Sequence, residues 1–268
     1  MASHITSSGY VIRDSVKLFY EREGKRDSRT ILFVHGLGGT TNSYQPLVPD
    51  LLGFDLIRFD FSGHGRSSVP SSSSVESYVA DCEAIIDHLG LKDIVVVGHS
   101  LGGLISLHLA AKLPEKVKGV VTLGAVKPSP EAVRKALAAR SALVRKEGMV
   151  AVADMVVSNA FSAKSLADRK GEVSLAREML TRQDPEGYAL AVDALAQSSA
   201  PVWSQIKGKV IVLSGDEDKV STLAVGAAIV NDIGSNAQQV TCKDTGHWHM
   251  LESPEECVKA IRSVTSNI

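Results

Sequence analysis

Cysteine is scarce in this chain: three in 268 residues, Cys82, Cys242 and Cys257, odd in number and widely spaced. That pattern argues against a disulfide frame or a cysteine metal site and fits buried thiols in a reducing compartment. Charge of one sign is lacking too. Against 30 acidic residues stand 29 basic ones, a net charge of −1. Nothing in that balance points to a nucleic-acid or membrane-surface partner. No apolar run reaches the roughly 18 residues of a membrane span. Met1 to Ser8 lacks a basic segment followed by an apolar one, so no signal peptide is expected. A cytoplasmic location follows as the expectation. No metal-ligand cluster is visible. The glycines at 36–39 are too few for a dinucleotide fingerprint, and no glycine loop runs into a phosphate-cradling lysine. No cofactor and no metal are therefore expected.

What is present is a 44% hydrophobic composition and enough length for one α/β domain with an insert. The chain is organised around Gly98-His99-Ser100-Leu101-Gly102. The β-branched run Asp93 to Val97 precedes it, and the helical pattern Leu104 to Ala111 follows. A buried strand, a glycine-flanked turn and a helix form the context in which a G-x-S-x-G string lifts a serine hydroxyl to the top of a sheet. The helix N-terminus beyond it favours developing negative charge.

Around this unit, residues 10–20 predict an antiparallel hairpin at a sheet edge, and 21–29 a charged, mobile connection. Strands are predicted over 30–34, 55–60, 117–123, 209–214 and 238–243. Helices are predicted over 75–89, with Ser74 as cap, and over 221–232. A last helix should begin at Ser253-Pro254-Glu255-Glu256 with a capping box and an N1 proline. Alternating strands and helices predict a mostly parallel sheet covered on both faces. Between 127 and 201 no strand is convincing. Ser129-Pro130 and Asp184-Pro185 each read as a helix start, the serine or aspartate capping and the proline at N1. The organisation expected is a first core part (1–126), a helical lid (127–201) and a second core part (202–268), with the lid over the carboxyl ends of the strands.

A serine hydroxyl needs a base beside it, and the base needs a carboxylate to fix its tautomer. His247 follows Gly246 at the end of a predicted strand. His249 is its rival, but the glycine-to-histidine turn that directly ends the strand favours His247, so loss of His249 is expected to be mild. Asp216 and Asp218 compete as the acid, and position in the loop does not decide between them. Two backbone N–H groups are needed for an oxyanion hole. Leu101, next after the serine, and Leu37, in His35-Gly36-Leu37-Gly38, are the expected donors.

Val-His-Gly-Leu-Gly-Gly at 34–39, Phe-Asp-Phe-Ser-Gly-His-Gly-Arg-Ser at 59–67, Gly-His-Ser-Leu-Gly-Gly at 98–103, Gly-Asp-Glu-Asp at 215–218 and Gly-His at 246–247 stand in the order found in the α/β-hydrolase superfamily, which the chain resembles. The resemblance implies the α/β-hydrolase fold, a mostly parallel sheet flanked by helices with a helical lid. It also implies Asp218 as the acid, three residues after the glycine, completing Ser100, Asp218 and His247. Phe61 is a departure, since the family often has arginine there. The segment 184–196 is similar to the lid of 3-oxoadipate enol-lactonases. The implied activity is hydrolysis of small carboxylic esters or lactones, with activity falling beyond about eight acyl carbons in a pocket of a few hundred Å3. Gly36, Leu37, Leu101 and Trp248 are the expected substrate contacts. Two other readings share the triad or the fold: a hydrolase of carbon–carbon bonds in β-diketone-type substrates, and a non-catalytic ligand receptor. The insert holds two aromatics, Phe161 and Tyr188, with eleven basic and nine acidic residues. An anionic substrate would require a lysine or arginine facing inward, and the sequence does not say which.

Overall fold

The computed structural model describes residues 7–266. The opening segment expected to lack a signal peptide lies outside them except for Ser7 and Ser8. The chain runs β1 (Ser7–Arg13), β2 (Val16–Gly24), β3 (Thr30–Val34), a 3-10 turn (Thr41–Leu47), α1 (Val48–Leu51), β4 (Asp55–Phe59), α2 (Val75–His88), β5 (Ile94–His99), α3 (Leu101–Lys112) and β6 (Val117–Leu123). Five helices follow: α4 (Glu131–Glu147), α5 (Val150–Ala160), α6 (Ala163–Asp168), α7 (Lys170–Thr181) and α8 (Pro185–Ala196). The chain closes with β7 (Lys209–Gly215), α9 (Leu223–Ile233), β8 (Ala237–Cys242), α10 (His249–Glu252) and α11 (Pro254–Thr265).

The eight strands form one sheet in the order β1-β2-β4-β3-β5-β6-β7-β8. β1 and β2 are antiparallel to their neighbours, and the other pairs are parallel. This is the α/β-hydrolase architecture. Its central strands are buried almost throughout and mostly apolar because a parallel sheet is covered on both faces. Thr30–Val34 and Asp55–Phe59 are buried at every position. Helix α3 is buried on nearly every side, from Leu101 to Ala111, and packs against β5 and β6.

Three local expectations are corrected. The charged stretch after residue 20 is not a loose connection. β2 continues to Gly24 and pairs with β4, because Arg22 binds Asp55 through Nε and Nη2 at 2.8 Å each and Glu23 binds Arg58 at 2.6 Å. At α4 the cap position falls on Pro130 rather than Ser129, with no side-chain cap bond. Ser253 does stand before an N1 proline, but it makes no cap bond; its hydroxyl pairs with Thr245 Oγ1 at 2.6 Å. The other caps form as expected: Ser74 with Ser77 in a capping box, and Asp184 accepting from Glu186 and Gly187.

The helices between β6 and β7 are tied to the core by Gln183. Its Nε2 donates to the carbonyls of Gly38 and Gly39, and its Oε1 accepts from the Gly65 amide. One side chain thus joins the insert to both glycine turns. Phe61 is stacked on His35 with centroids 3.9 Å apart and packed on Tyr78. His64 is buried beside it, and Arg66 lies over the Phe19 ring at 4.4 Å. All three cysteines are buried and free. Among the described residues no helix is long and apolar enough to cross a membrane.

Candidate active site

Ser100 ends β5 and opens α3 with φ 53° and ψ −118°. A non-glycine residue in this region stores roughly 1–3 kcal/mol of strain, sustained only where the surroundings enforce it. They do so here. The Ser100 amide donates to Leu123 O at 3.0 Å, and its carbonyl accepts from Gly103 and Leu104. Close packing completes the enforcement. A Cβ on Gly98 would lie 2.3 Å from Gly102 O, and one on Gly102 would lie 2.1 Å from Val34 O.

His247 sits after β8, and Asp218 after β7. His247 Nδ1 donates to Asp218 Oδ2 at 2.8 Å. An ionised carboxylate only accepts, so this contact puts the proton on Nδ1 and leaves Nε2 with a free lone pair. The other Asp218 oxygen accepts from the amides of Val220 and Ser221 at 2.8 Å each. Burial pushes the Asp218 carboxyl up, but the His247 ring and the Ser221 amide outweigh it. The pKa lies below its ordinary value. Asp216, the rival carboxylate, instead accepts from the Thr245 amide at 3.2 Å and braces the turn before His247.

The His247 loop is held by groups to which sequence reasoning gave no such role. Glu252 is buried, and its carboxylate accepts from the amides of Gly246 and Trp248, on either side of His247, and from Ser162. The His247 amide donates to Ala160 O at the end of α5. His249 is buried, with Nδ1 donating to the His247 carbonyl at 3.0 Å. Glutamate five residues after a histidine is a visible spacing, but its amide partners depend on the tertiary turn.

Ser100 and His247 open onto one cavity of about 810 Å3. Leu37 and Trp248 line it, as do Leu137 and Val156 from α4 and α5. The volume exceeds the few hundred Å3 expected. Gly36 and Leu101 do not line the cavity. A Cβ on Gly36 would stand 2.9 Å from Ser100 Cβ, so glycine lets this backbone lie against the serine. Leu101 buries its side chain in the core, while its N–H lies in the first turn of α3, where helix amides lack intrahelical partners. Among the described residues, no group of three or more His, Cys, Asp or Glu is arranged to hold a metal ion.

Comparison with known proteins agrees with this fold. The sequence profile of the alpha/beta hydrolase fold matches residues 29–151. The 3-oxoadipate enol-lactonase 2 of Acinetobacter baylyi is 28% identical over 252 residues, covering 93% of each chain. Lipase 1 of Psychrobacter immobilis is 26% identical, covering 92% of this chain and 81% of its own. The solved enol-lactonase of Burkholderia xenovorans superposes with a TM-score of 0.90 at 26% identity, covering 96% of this chain and 100% of its own. By profile, sheet order and strand-to-helix elbow alike, the chain has the α/β-hydrolase fold and is similar to hydrolases built on it, a lactonase and a lipase among them.

Proposed function

We propose that the chain hydrolyses small carboxylic esters or lactones through Ser100, His247 and Asp218, with no cofactor. The observation that carries the reading is the 2.8 Å bond from His247 Nδ1 to Asp218, on a histidine that shares its cavity with the strained Ser100. In this reading Ser100 Oγ attacks the ester carbonyl carbon while His247 Nε2 takes the hydroxyl proton. Asp218 stabilises the imidazolium so formed. The amides of Leu37 and Leu101 hold the oxyanion of the tetrahedral intermediate. His247 then passes its proton to the leaving alkoxide, leaving an acyl-serine. Water, deprotonated by His247, releases the acid and restores Ser100. A lactone suits the sequence because its leaving alkoxide stays tethered to the acyl group.

The relatives, an enol-lactonase and a lipase, support both substrate types. The test is turnover of p-nitrophenyl acetate, of C2 to C16 p-nitrophenyl esters and of five- and six-membered lactones, together with fluorophosphonate labelling. Sustained turnover and labelling, both lost in Ser100→Ala, are expected. Full labelling of the alanine variant would overturn the assignment.

A further inference from the structure

His247 stands in a loop whose own strand gives it little support. β8 is the last strand of the sheet, pairs with β7 and is only partly buried along most of its length. A base carried by an edge strand needs a second anchor, since a misplacement of about 1 Å costs on the order of 100-fold in rate. Main chain of the insert supplies it. The His247 amide donates to Ala160 O at 2.6 Å. The amides on either side, Gly246 and Trp248, donate to the two oxygens of Glu252 at 3.0 Å each. A Cβ on Gly246 would lie 2.5 Å from Ala160 O and 2.6 Å from the Ser162 nitrogen, so glycine lets the two backbones touch. Phe161, between them, stacks on Trp248 with centroids 6.3 Å apart.

Two carboxylates close on the next amides of the insert. Ser162 N donates to Glu252 Oε2 at 2.8 Å, and Ala163 N donates to Glu217 Oε2 at 2.9 Å. Glu252 follows His247 by five residues, and Glu217 directly precedes Asp218. One carboxylate thus belongs to the loop of the base and the other to the loop of the acid. Both hold the same turn between α5 and α6. The Glu217 amide donates to Thr245 O at 3.0 Å, which joins the two loops directly and closes a ring of contacts with the insert. Hydrogen bonds to an ionised acceptor are roughly twice as strong as neutral ones.

We propose that Glu217 and Glu252 are positioning residues for the reaction: by gripping Ser162 and Ala163 they set the His247 ring against Asp218, and the insert is a working part of the triad as well as a cover over it. The proposal rests on the hydrolase reading above. Neither carboxylate lines the cavity, so each acts through main chain. Their chemistry predicts which substitutions are tolerated. A glutamine keeps one carbonyl oxygen, enough for Ala163 at position 217 and for Gly246 with Ser162 at position 252. Alanine or leucine keeps none.

The experiment measures kcat and KM on p-nitrophenyl acetate. Glu217→Ala should lower kcat about threefold to tenfold and Glu252→Leu about 10- to 100-fold, with KM within about twofold of wild type. Glu217→Gln and Glu252→Gln should each recover most of the loss. Arg177→Ala, which frees α7 from Asp154 of α5, is the control for general loosening of the insert and should leave kcat within about twofold. Circular dichroism and Tm establish that each variant is folded. Glu217 is only partly buried, so its variants decide the matter if Glu252→Leu does not fold. A second readout does not depend on turnover. The tautomer of the His247 ring is read by NMR from two-bond proton–nitrogen correlations in protein with isotope-labelled histidine, at a pH where the ring is neutral, and assigned against His247→Gln. Wild type should hold its proton on Nδ1, and Glu217→Ala and Glu252→Leu should move part of the population to Nε2. Wild-type kcat in the folded deletion variants, an unchanged tautomer in them, or glutamines no better than deletions would each overturn the proposal. So would a wild-type ring with its proton on Nε2. If wild type hydrolyses no ester, the hydrolase reading falls, and the tautomer alone decides on the two carboxylates.

Discussion

His99 Nε2 donates to the backbone carbonyl of His247 at 2.9 Å, joining the residue before Ser100 to the histidine proposed as its base. His249 Nδ1 donates to the same oxygen at 3.0 Å. Both rings are buried, and burial holds both pKa values below the ordinary histidine value, so each acts as a neutral donor. His247 is thus positioned from two sides through its main chain. Loss of His249, expected to be mild from sequence, should therefore be costly. His249→Ala and His99→Leu should each lower kcat/KM roughly 10- to 100-fold, the scale of a small misplacement at a reacting centre. His249→Asn and His99→Gln each keep an N–H at about the same reach and should recover much of the rate. Steady-state kinetics on p-nitrophenyl acetate decides. Conservative variants no better than the deletions would show that ring volume, not the hydrogen bond, matters.

The two carboxylates of the β7 loop differ in what they can lose. Asp218 faces His247 Nδ1 with one oxygen and two amides with the other. In Asp218→Asn an amide N–H can meet Nδ1 and drive the proton to Nε2, the wrong tautomer for a base. A loss of about 10^4 in kcat is expected. Asp216 only accepts one amide, and an asparagine carbonyl can do the same. Asp216→Asn should stay within about tenfold of wild type. Single-turnover rates for both variants test this, and equal losses would remove Asp218 from its role.

Much of this was legible because buried parallel strands are continuous apolar runs. Thr30–Val34 and Val117–Leu123 have the limits that their residues predict. The elbow was legible because glycine at 98 and 102 has few reasons other than close approach. What escaped was whatever depends on a distant partner. Glu23 reads as loop until Arg58 pairs with it from β4. Ser253 reads as a cap until Thr245 takes its hydroxyl. The short helix α6 has too few residues to show a period. Arg140 is one of eleven basic residues in 127–201, and only the packing of α4 on α8 turns it toward the cavity.

Acid should destabilise the fold from about pH 6.5 downward. Four fully buried histidines, His35, His64, His99 and His249, have pKa values lowered chiefly by burial, that of His35 to about 4. Each is depressed below its unfolded value near 6.5, so the unfolded chain takes up protons first. Their contribution is complete above about pH 6.5 and is lost as pH falls, at roughly 1.4 kcal/mol per pH unit for each ring. Asp60, raised by burial to about 6, and Asp81, also raised by burial, work in the opposite sense. Their contribution is full below the unfolded carboxylate pKa and is lost as pH rises through the folded one. Four rings against two carboxyls leave a net loss on acidification. Scanning calorimetry should record Tm falling by roughly 5–10 °C per pH unit below pH 6.5. A Tm that is flat or rising from pH 6.5 to 5 would refute this balance.

The seating of α8 on the core turns on one glycine. A Cβ on Gly187 would lie 2.0 Å from the carbonyl oxygen of Gly63 and 2.8 Å from its carbon. Both contacts are to backbone, in a turn where Gly63 holds φ at +82°, so neither side yields cheaply. Gly187→Ala should therefore push α8 away from the turn, at about 1–3 kcal/mol of overpacking, with Tm lowered by roughly 2–10 °C. Gly171, in α7, is the control. It is exposed, and nothing lies within 4 Å of a Cβ placed there. Gly171→Ala should stabilise by about 0.5–1 kcal/mol, since alanine replaces glycine in a helix without a clash. The same methyl group is thus expected to have opposite signs at two helical sites. Thermal unfolding of the two variants side by side tests the contact, and a shift of both in the same direction would mean that α8 does not rest on Gly63.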